Sequence, residues 1–171
     1  SIDSLDSLVL SGSSGPSWRI DEQTTASLSL VADLVKIGHE NSYYNFTYGV
    51  APQIQYKINK KTSANLNTTI SKKNFKTQRA RNSRNYTINP TIGYQIDKTS
   101  FSRLGLMFAR EDSGISYYSN DSIGINSSYG YTFQNGLQTY LNASYTDSDY
   151  KGQEIYYSET RHDKISKFLV N

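Results

Sequence analysis

Between residues 44 and 58 the chain alternates without a break. Tyr44, Phe46, Tyr48, Val50, Pro52, Ile54, Tyr56 and Ile58 occupy the even positions, with Asn45, Thr47, Gly49, Ala51, Gln53, Gln55 and Lys57 between them. A period of two places these sets on opposite faces of a β-strand, whereas a helical period of 3.6 would scatter them around an axis. Residues 86–96 repeat the pattern, with Tyr86, Ile88, Pro90, Ile92, Tyr94 and Ile96 on one face and Thr87, Asn89, Thr91, Gly93 and Gln95 on the other. The two segments superimpose at an offset of 38, and the match continues through a short turn into a second strand. Ala64, Leu66, Thr68 and Ile70 parallel Ser102, Leu104, Leu106 and Phe108. The repeating unit is therefore a hairpin, and hairpins in series build meanders and barrels.

Two more strands follow. One carries Ile123, Ile125, Tyr129, Tyr131 and Phe133 on one face; after Asn135-Gly136, a type I′ hairpin signal, the other carries Leu137, Thr139, Leu141, Ala143 and Tyr145. Less regular strands are expected near residues 26–36 and 156–170, giving about eight in all. The Ser-Gly-Ser-Ser-Gly-Pro-Ser run at residues 11–17 reads as a linker, so residues 1–18 are taken as a linker or flexible N-terminal segment and 19–171 as the β-barrel domain. Pro52 and Pro90 each remove a ladder donor, so a bulge or broken pairing is expected at both.

The connections separate a membrane barrel from a soluble sandwich or barrel, which also alternates. Short turns at 59–63, 97–100 and 135–136 interleave with longer connections at 37–42, 71–84, 110–119 and 146–154, as outer-membrane barrels interleave periplasmic turns with extracellular loops. Tyr48 and Tyr56 bracket Val50, Pro52 and Ile54, and Tyr86 and Tyr94 bracket Ile88, Pro90 and Ile92. Eight residues span about 26 Å of strand, or roughly 20 Å of depth at a tilt near 40°, close to the apolar band between two aromatic girdles. Composition agrees: only 36% of residues are hydrophobic, yet 15 are tyrosine, a residue that favours strands and membrane interfaces. The expected fold is an all-β, antiparallel up-and-down transmembrane β-barrel, part of a larger barrel. No run of about 18 apolar residues offers a helical span, and with no initiating Met or signal peptide the chain reads as a mature product or a fragment.

The net charge of +3 comes largely from Lys72, Lys73, Lys76, Arg79, Arg81 and Arg84, with no acid among them. Residues 71–84 are expected to form a basic extracellular loop, either simply solvated or a patch for acidic headgroups, lipopolysaccharide or nucleic acid. Two charge pairs, Arg19 with Asp21 and Arg161 with Asp163, are expected on the lumen wall, since a charge on the lipid face at mid-depth costs about 2–4 kcal/mol. Cysteine is absent, which excludes disulfides and thiolate metal sites. His39 and His162 are the only histidines, and no nucleophile elbow, zinc helix, phosphate loop or calcium loop occurs. No catalysis, cofactor or nucleic-acid partner is expected.

The residues Thr99-Ser100-Phe101, Leu104-Gly105-Leu106, Arg110-Glu111-Asp112 and Tyr118-Ser119-Asn120-Asp121-Ser122-Ile123-Gly124 resemble the barrel domain of the surface lipoprotein assembly modulator (Slam) family. So do Gly136-Leu137, Tyr150-x-Gly152, Tyr157 and Arg161-x-Asp163. The resemblance implies a bacterial outer-membrane barrel that helps client lipoproteins or secreted binding proteins reach the cell surface, with outer-membrane lipids and the client as partners. Members usually carry periplasmic helical repeats and end in a strand with a terminal aromatic; this chain ends Phe168-Leu169-Val170-Asn171, so a fragment is expected. A passive porin-like or adhesin-like barrel and an outer-membrane hydrolase are the rival readings.

Overall fold

The computed structural model describes residues 7–37, 43–153 and 159–170. Within them run ten strands: β1 (Ser7–Ser14), β2 (Ser17–Arg19), β3 (Thr24–Ile37), β4 (Asn45–Lys57), β5 (Thr62–Phe75), β6 (Ser83–Gln95), β7 (Ser100–Ser113), β8 (Asn120–Thr132), β9 (Gln138–Tyr150) and β10 (His162–Val170). The only helical pieces among the described residues are single 3-10 turns at Arg79–Arg81 and Ser116–Tyr118. Every neighbouring pair is antiparallel, and the order runs from β1 through β3 to β10 as an up-and-down meander, with β2 beside β3. This is the expected all-β architecture and is consistent with the wall of a barrel; the sheet does not close.

Register follows the alternation. Opposite residues share a face, so Leu28, Leu30, Val50, Ile54, Leu66, Ile70, Ile88, Ile92, Leu104, Phe108 and Ile123 are placed together by the successive ladders. All of these but Val50 are strongly exposed, Leu30 at 67% and Ile92 at 57%. The opposite face carries Gln53, Asn65, Asn67, Asn89, Thr91, Asn126 and Asn142. Among the described residues Phe75 is the one buried hydrophobic, while Asn45, Ser83, Thr91, Ser100, Ser119 and Ser148 are buried. The sheet is thus inverted relative to a water-soluble domain, which hides its apolar side chains.

Residues 7–18, within the segment 1–18 taken from the sequence as a linker or flexible N-terminal segment, lie in β1 and β2, the latter ending at Arg19, so the strand number is ten rather than about eight. The two pieces form one edge strand on β3, interrupted at Gly15-Pro16, where the Leu28 N–H still reaches the Pro16 carbonyl at 3.1 Å. A Cβ at Gly15 would lie 1.9 Å from the Leu28 carbonyl, so only glycine allows this approach. The edge strand also extends the repeat: residues 7–19 precede 45–57 by 38, and Leu10, Trp18 and Ile20 take the places of Tyr48, Tyr56 and Ile58.

Neither proline produces a bulge. The β4–β5 ladder lapses between Val50↔Ile70 and Gln53↔Asn67, and β6–β7 between Ile88↔Phe108 and Thr91↔Gly105, with register unchanged across each gap. Pairing with the preceding strand persists at Leu28↔Pro52 and Leu66↔Pro90. Each ring therefore forfeits bonds on one side only, the half of the expectation that called for locally broken pairing.

Candidate functional site

The short turns are closed by their own side chains. The Asp21 carboxylate accepts the Gln23 and Thr24 N–H groups, both at 2.7 Å; Asn59 Oδ1 accepts those of Lys61 and Thr62 at 2.8 and 2.9 Å; Asp97 Oδ1 accepts those of Thr99 and Ser100 at 2.7 and 2.9 Å. These three residues fall 38 apart, and each offers a short polar side chain that satisfies turn donors locally. The bonds from the Thr99 hydroxyl and N–H hold the Asp97 carboxyl down to about 2, and the Gln23 N–H lowers that of Asp21. The last short turn closes with the Gly136 N–H on the Phe133 carbonyl at 2.9 Å; Gly136 has a φ of +83° but Asn135 does not take positive φ, so the expected type I′ turn, which needs both, is not made.

Above these turns the outward face carries Trp18, Tyr56, Tyr94 and Tyr131, and its far side carries Phe46, Tyr48, Tyr86 and Tyr145. Tyr48, Tyr56, Tyr86 and Tyr94 are thus in two rows on one face, each between 38% and 46% exposed. At the second row and beyond it the outward positions become charged: Lys36, Lys72, Arg84, Arg110, Asp112, Asp121, Asp147, Asp149, His162 and Lys164. No outward strand position in the described residues is charged elsewhere. Strands consequently run past the limits that alternation marks, because the ladder continues where apolar side chains stop.

The inward face forms a groove of about 640 Å³ lined by Gln53, Asn65, Asn67, Asn89, Asn126, Asn142 and their neighbours from β4 to β10. Two cations, Arg103 and Lys167, reach it. Neither was singled out in the sequence, although each sits at an inward parity between residues of the other face. The amide oxygen of Asn89 and the hydroxyl of Thr91 are buried without a protein partner beside the Pro90 gap, making this wall a surface of available hydrogen-bonding groups. Gly105 keeps the wall low: a Cβ there would meet Thr91 at 2.5 Å and Asn126 at 2.7 Å.

The basic segment divides. The loop proper is 76–82, while Lys72, Lys73 and Arg84 lie within β5 and β6. Lys73 points inward and pairs with Glu111 at 3.6 Å, and Glu111 also accepts the Ser83 hydroxyl at 2.6 Å. Arg81 donates to the Tyr44 hydroxyl at 2.9 Å and Gln78 at 2.6 Å, stacked between Phe75 and Tyr118 with its guanidinium 4.7 and 4.5 Å from the ring centres. Lys76 and Arg79 are exposed in the loop. Loops also bond to one another, Gly114 N–H to Asn82 at 3.1 Å and Lys151 N–H to Ser119 at 2.9 Å.

Of the two charge pairs, Arg161 and Asp163 are joined, with Arg161 Nε donating to Asp163 at 2.9 Å, on the inward face beside Tyr150. Arg19 and Asp21 do not form a carboxylate pair. Arg19 Nε donates to the Asp21 carbonyl at 3.2 Å, while the carboxylate is occupied with its turn. His162 lies between Asp147, at 2.9 Å, and Asp149 on the outward face. Its partners among the described residues are both carboxylates. His39 lies outside the described residues.

No curated protein and no solved structure matches the chain. The family described as surface lipoprotein assembly modifier matches residues 17–171, nearly the whole of the sheet from β2 onward. Its span takes in the aromatic rows, the amide-lined groove and the charged rim, and the chain belongs to the surface lipoprotein assembly modifier family.

Proposed function

We propose that this chain forms a wall of an outer-membrane β-barrel that carries surface lipoproteins, or secreted binding proteins, across that membrane. The inverted distribution of polarity carries the reading. An exposed apolar band between two aromatic rows suits the hydrocarbon slab, and the groove of amides and hydroxyls on the other face suits a hydrated path for a polypeptide. A passing chain presents backbone donors and acceptors, which Asn and Gln satisfy from either role. Family membership supplies the class of client, and membrane lipid is the other partner.

The test is surface display of a client lipoprotein in cells whose own copy of the gene carries substitutions on the inward wall. Asn67→Leu with Asn126→Leu should reduce antibody labelling of the client on intact cells while total client and barrel levels hold steady. Unchanged labelling with both leucines in place would remove the groove from the export path.

A further inference from the structure

We propose that Lys72 and Arg84, at the long-loop end of β5 and β6, form a binding site on the outward face for the phosphate of an anionic membrane lipid. The two are directly opposite each other in the β5–β6 ladder, so two cations project side by side from one face; like charges placed this way destabilise a sheet. Lys72 is also directly opposite Tyr48 on β4, and Arg84 lies two residues beyond Tyr86 on the same face. The pair therefore sits at the aromatic row and just past it, the level at which headgroups lie.

The neighbouring acids are committed elsewhere. Asp112, opposite Arg84 on β7, takes Arg110 at 2.9 Å and Lys151 at 3.6 Å. Asp121 takes Lys151 at 3.2 Å and Arg110 at 3.9 Å. Glu111 points to the other face and takes Lys73. Among the described residues Lys72 and Arg84 thus have no anionic partner, whereas Arg110, Lys151 and Lys73 on the same strands and loops do. A phosphate between them relieves the repulsion: the guanidinium offers a planar fork for two oxygens and the ammonium a point charge on a flexible stem. The lipid source follows from orientation, since both side chains leave the sheet on the apolar side, away from the groove a client would use.

This inference rests on the membrane-wall reading but not on the client. The full chain is placed in nanodiscs of phosphatidylcholine containing a minor fraction of phosphatidylglycerol, and retained lipid is counted by native mass spectrometry after detergent release. Wild type should retain the anionic lipid, and Lys72→Gln with Arg84→Gln should weaken retention by about thirtyfold, each cation near a surface contributing roughly fivefold. Lys60→Gln with Lys61→Gln, at the opposite end, should leave it unchanged. If the double variant folds poorly, wild-type retention against increasing salt supplies the second reading and should fall. Equal retention by wild type and variant overturns the site, as does protection by inorganic phosphate equal to that by lipid. Reduced client display with lipid retention intact overturns it in favour of an acidic protein segment. Failure of the chain to enter nanodiscs at all instead breaks the membrane-wall reading on which the site stands.

Discussion

The two ends of the sheet solve the same problem of reversing the chain by opposite means. At the short-turn end each reversal is closed by its own side chain: Asp21, Asn59 and Asp97 bond across two or three residues, neighbouring turns touch through single bonds such as Lys61 Nζ to the Ile96 carbonyl at 3.3 Å, and the outward positions are aromatic and uncharged. At the long-loop end the reversals lean further on side chains from other hairpins. Arg81 reaches back 37 residues to Tyr44 and across to Tyr118 on the next loop, and the outward positions form a belt of charge. The bonds that close the short turns are local in sequence, whereas those that hold Arg81 need adjacent hairpins to be together.

The largest effect that would sharpen this contrast comes from moving charge off its end. Ile88→Arg and Ile92→Arg lie between the tyrosine rows of β6, and each should cost about 2–4 kcal/mol of folding stability in vesicles. Tyr94→Arg, at the short-turn row, should cost about 0–1 kcal/mol. Urea titration followed through the single tryptophan, Trp18, measures all three; a flat profile along β6 would mean that this face does not meet hydrocarbon.

Next comes the loop staple. Arg81→Ala removes two hydrogen bonds and two ring stacks and should loosen the long-loop end by about 1–3 kcal/mol. Trypsin cleavage at Lys76 and Arg79 should accelerate while the turn at Lys60 and Lys61 is cut at its former rate. Arg81→Lys should recover only part, because an ammonium cannot stack and fork together. If cleavage of both ends rises equally, the ends are not independent.

A smaller loss, about 0.5–1.5 kcal/mol, is expected for Asn59→Ala, whose two turn bonds have no substitute. Hydrogen exchange should report it at Lys61 and Thr62 and leave the amides of 76–82 untouched. The smallest effect is on pH. The Asp97 carboxyl is held at about 2 against an ordinary 3.8, so its stabilisation is complete above about 3.8 and is lost as pH falls through about 2. Exchange at Thr99 and Ser100, corrected for intrinsic rate, should stay constant from neutral pH to about 4 and rise toward 2, whereas the Asn59 turn should show no such rise.

Legibility in the sequence follows the same division. The β4 to β9 strands announce themselves because one face must be apolar and the other polar, and Asn59, Asp97 and Asn135-Gly136 mark turns by local chemistry. The edge strand at 7–19 does not, since Gly12, Ser13, Ser14 and the Gly15-Pro16 break satisfy no alternation and are recruited only by β3. β10 is obscured for a related reason: Ile165 and Leu169 share a face with Asp163 and Lys167, so an edge position tolerates a blurred pattern. The segment 71–84 looked like one basic loop because consecutive cations conceal parity. In the ladder Lys72 and Lys73 leave opposite faces, and Arg81 finds partners too distant in sequence for spacing to suggest.

The 38-residue spacing gives the wall a reading frame of two. Because 38 is even, a position and its counterpart in the next hairpin have the same numerical parity and the same face, as Leu10, Tyr48 and Tyr86 do. The frame slips where a loop changes length: the connection 114–119 is one residue shorter than 76–82, and the outward residues of β8 and β9 carry odd numbers, Ile123 and Tyr145 among them, before β10 returns to even ones with His162 and Lys164. A loop absorbs such a slip silently, whereas the same deletion inside β6 would turn every later side chain of that strand from oil to water. Inheritance of this wall therefore tolerates length change at one kind of place, and a single missing codon can be harmless or ruinous depending only on which side of Ser83 it falls.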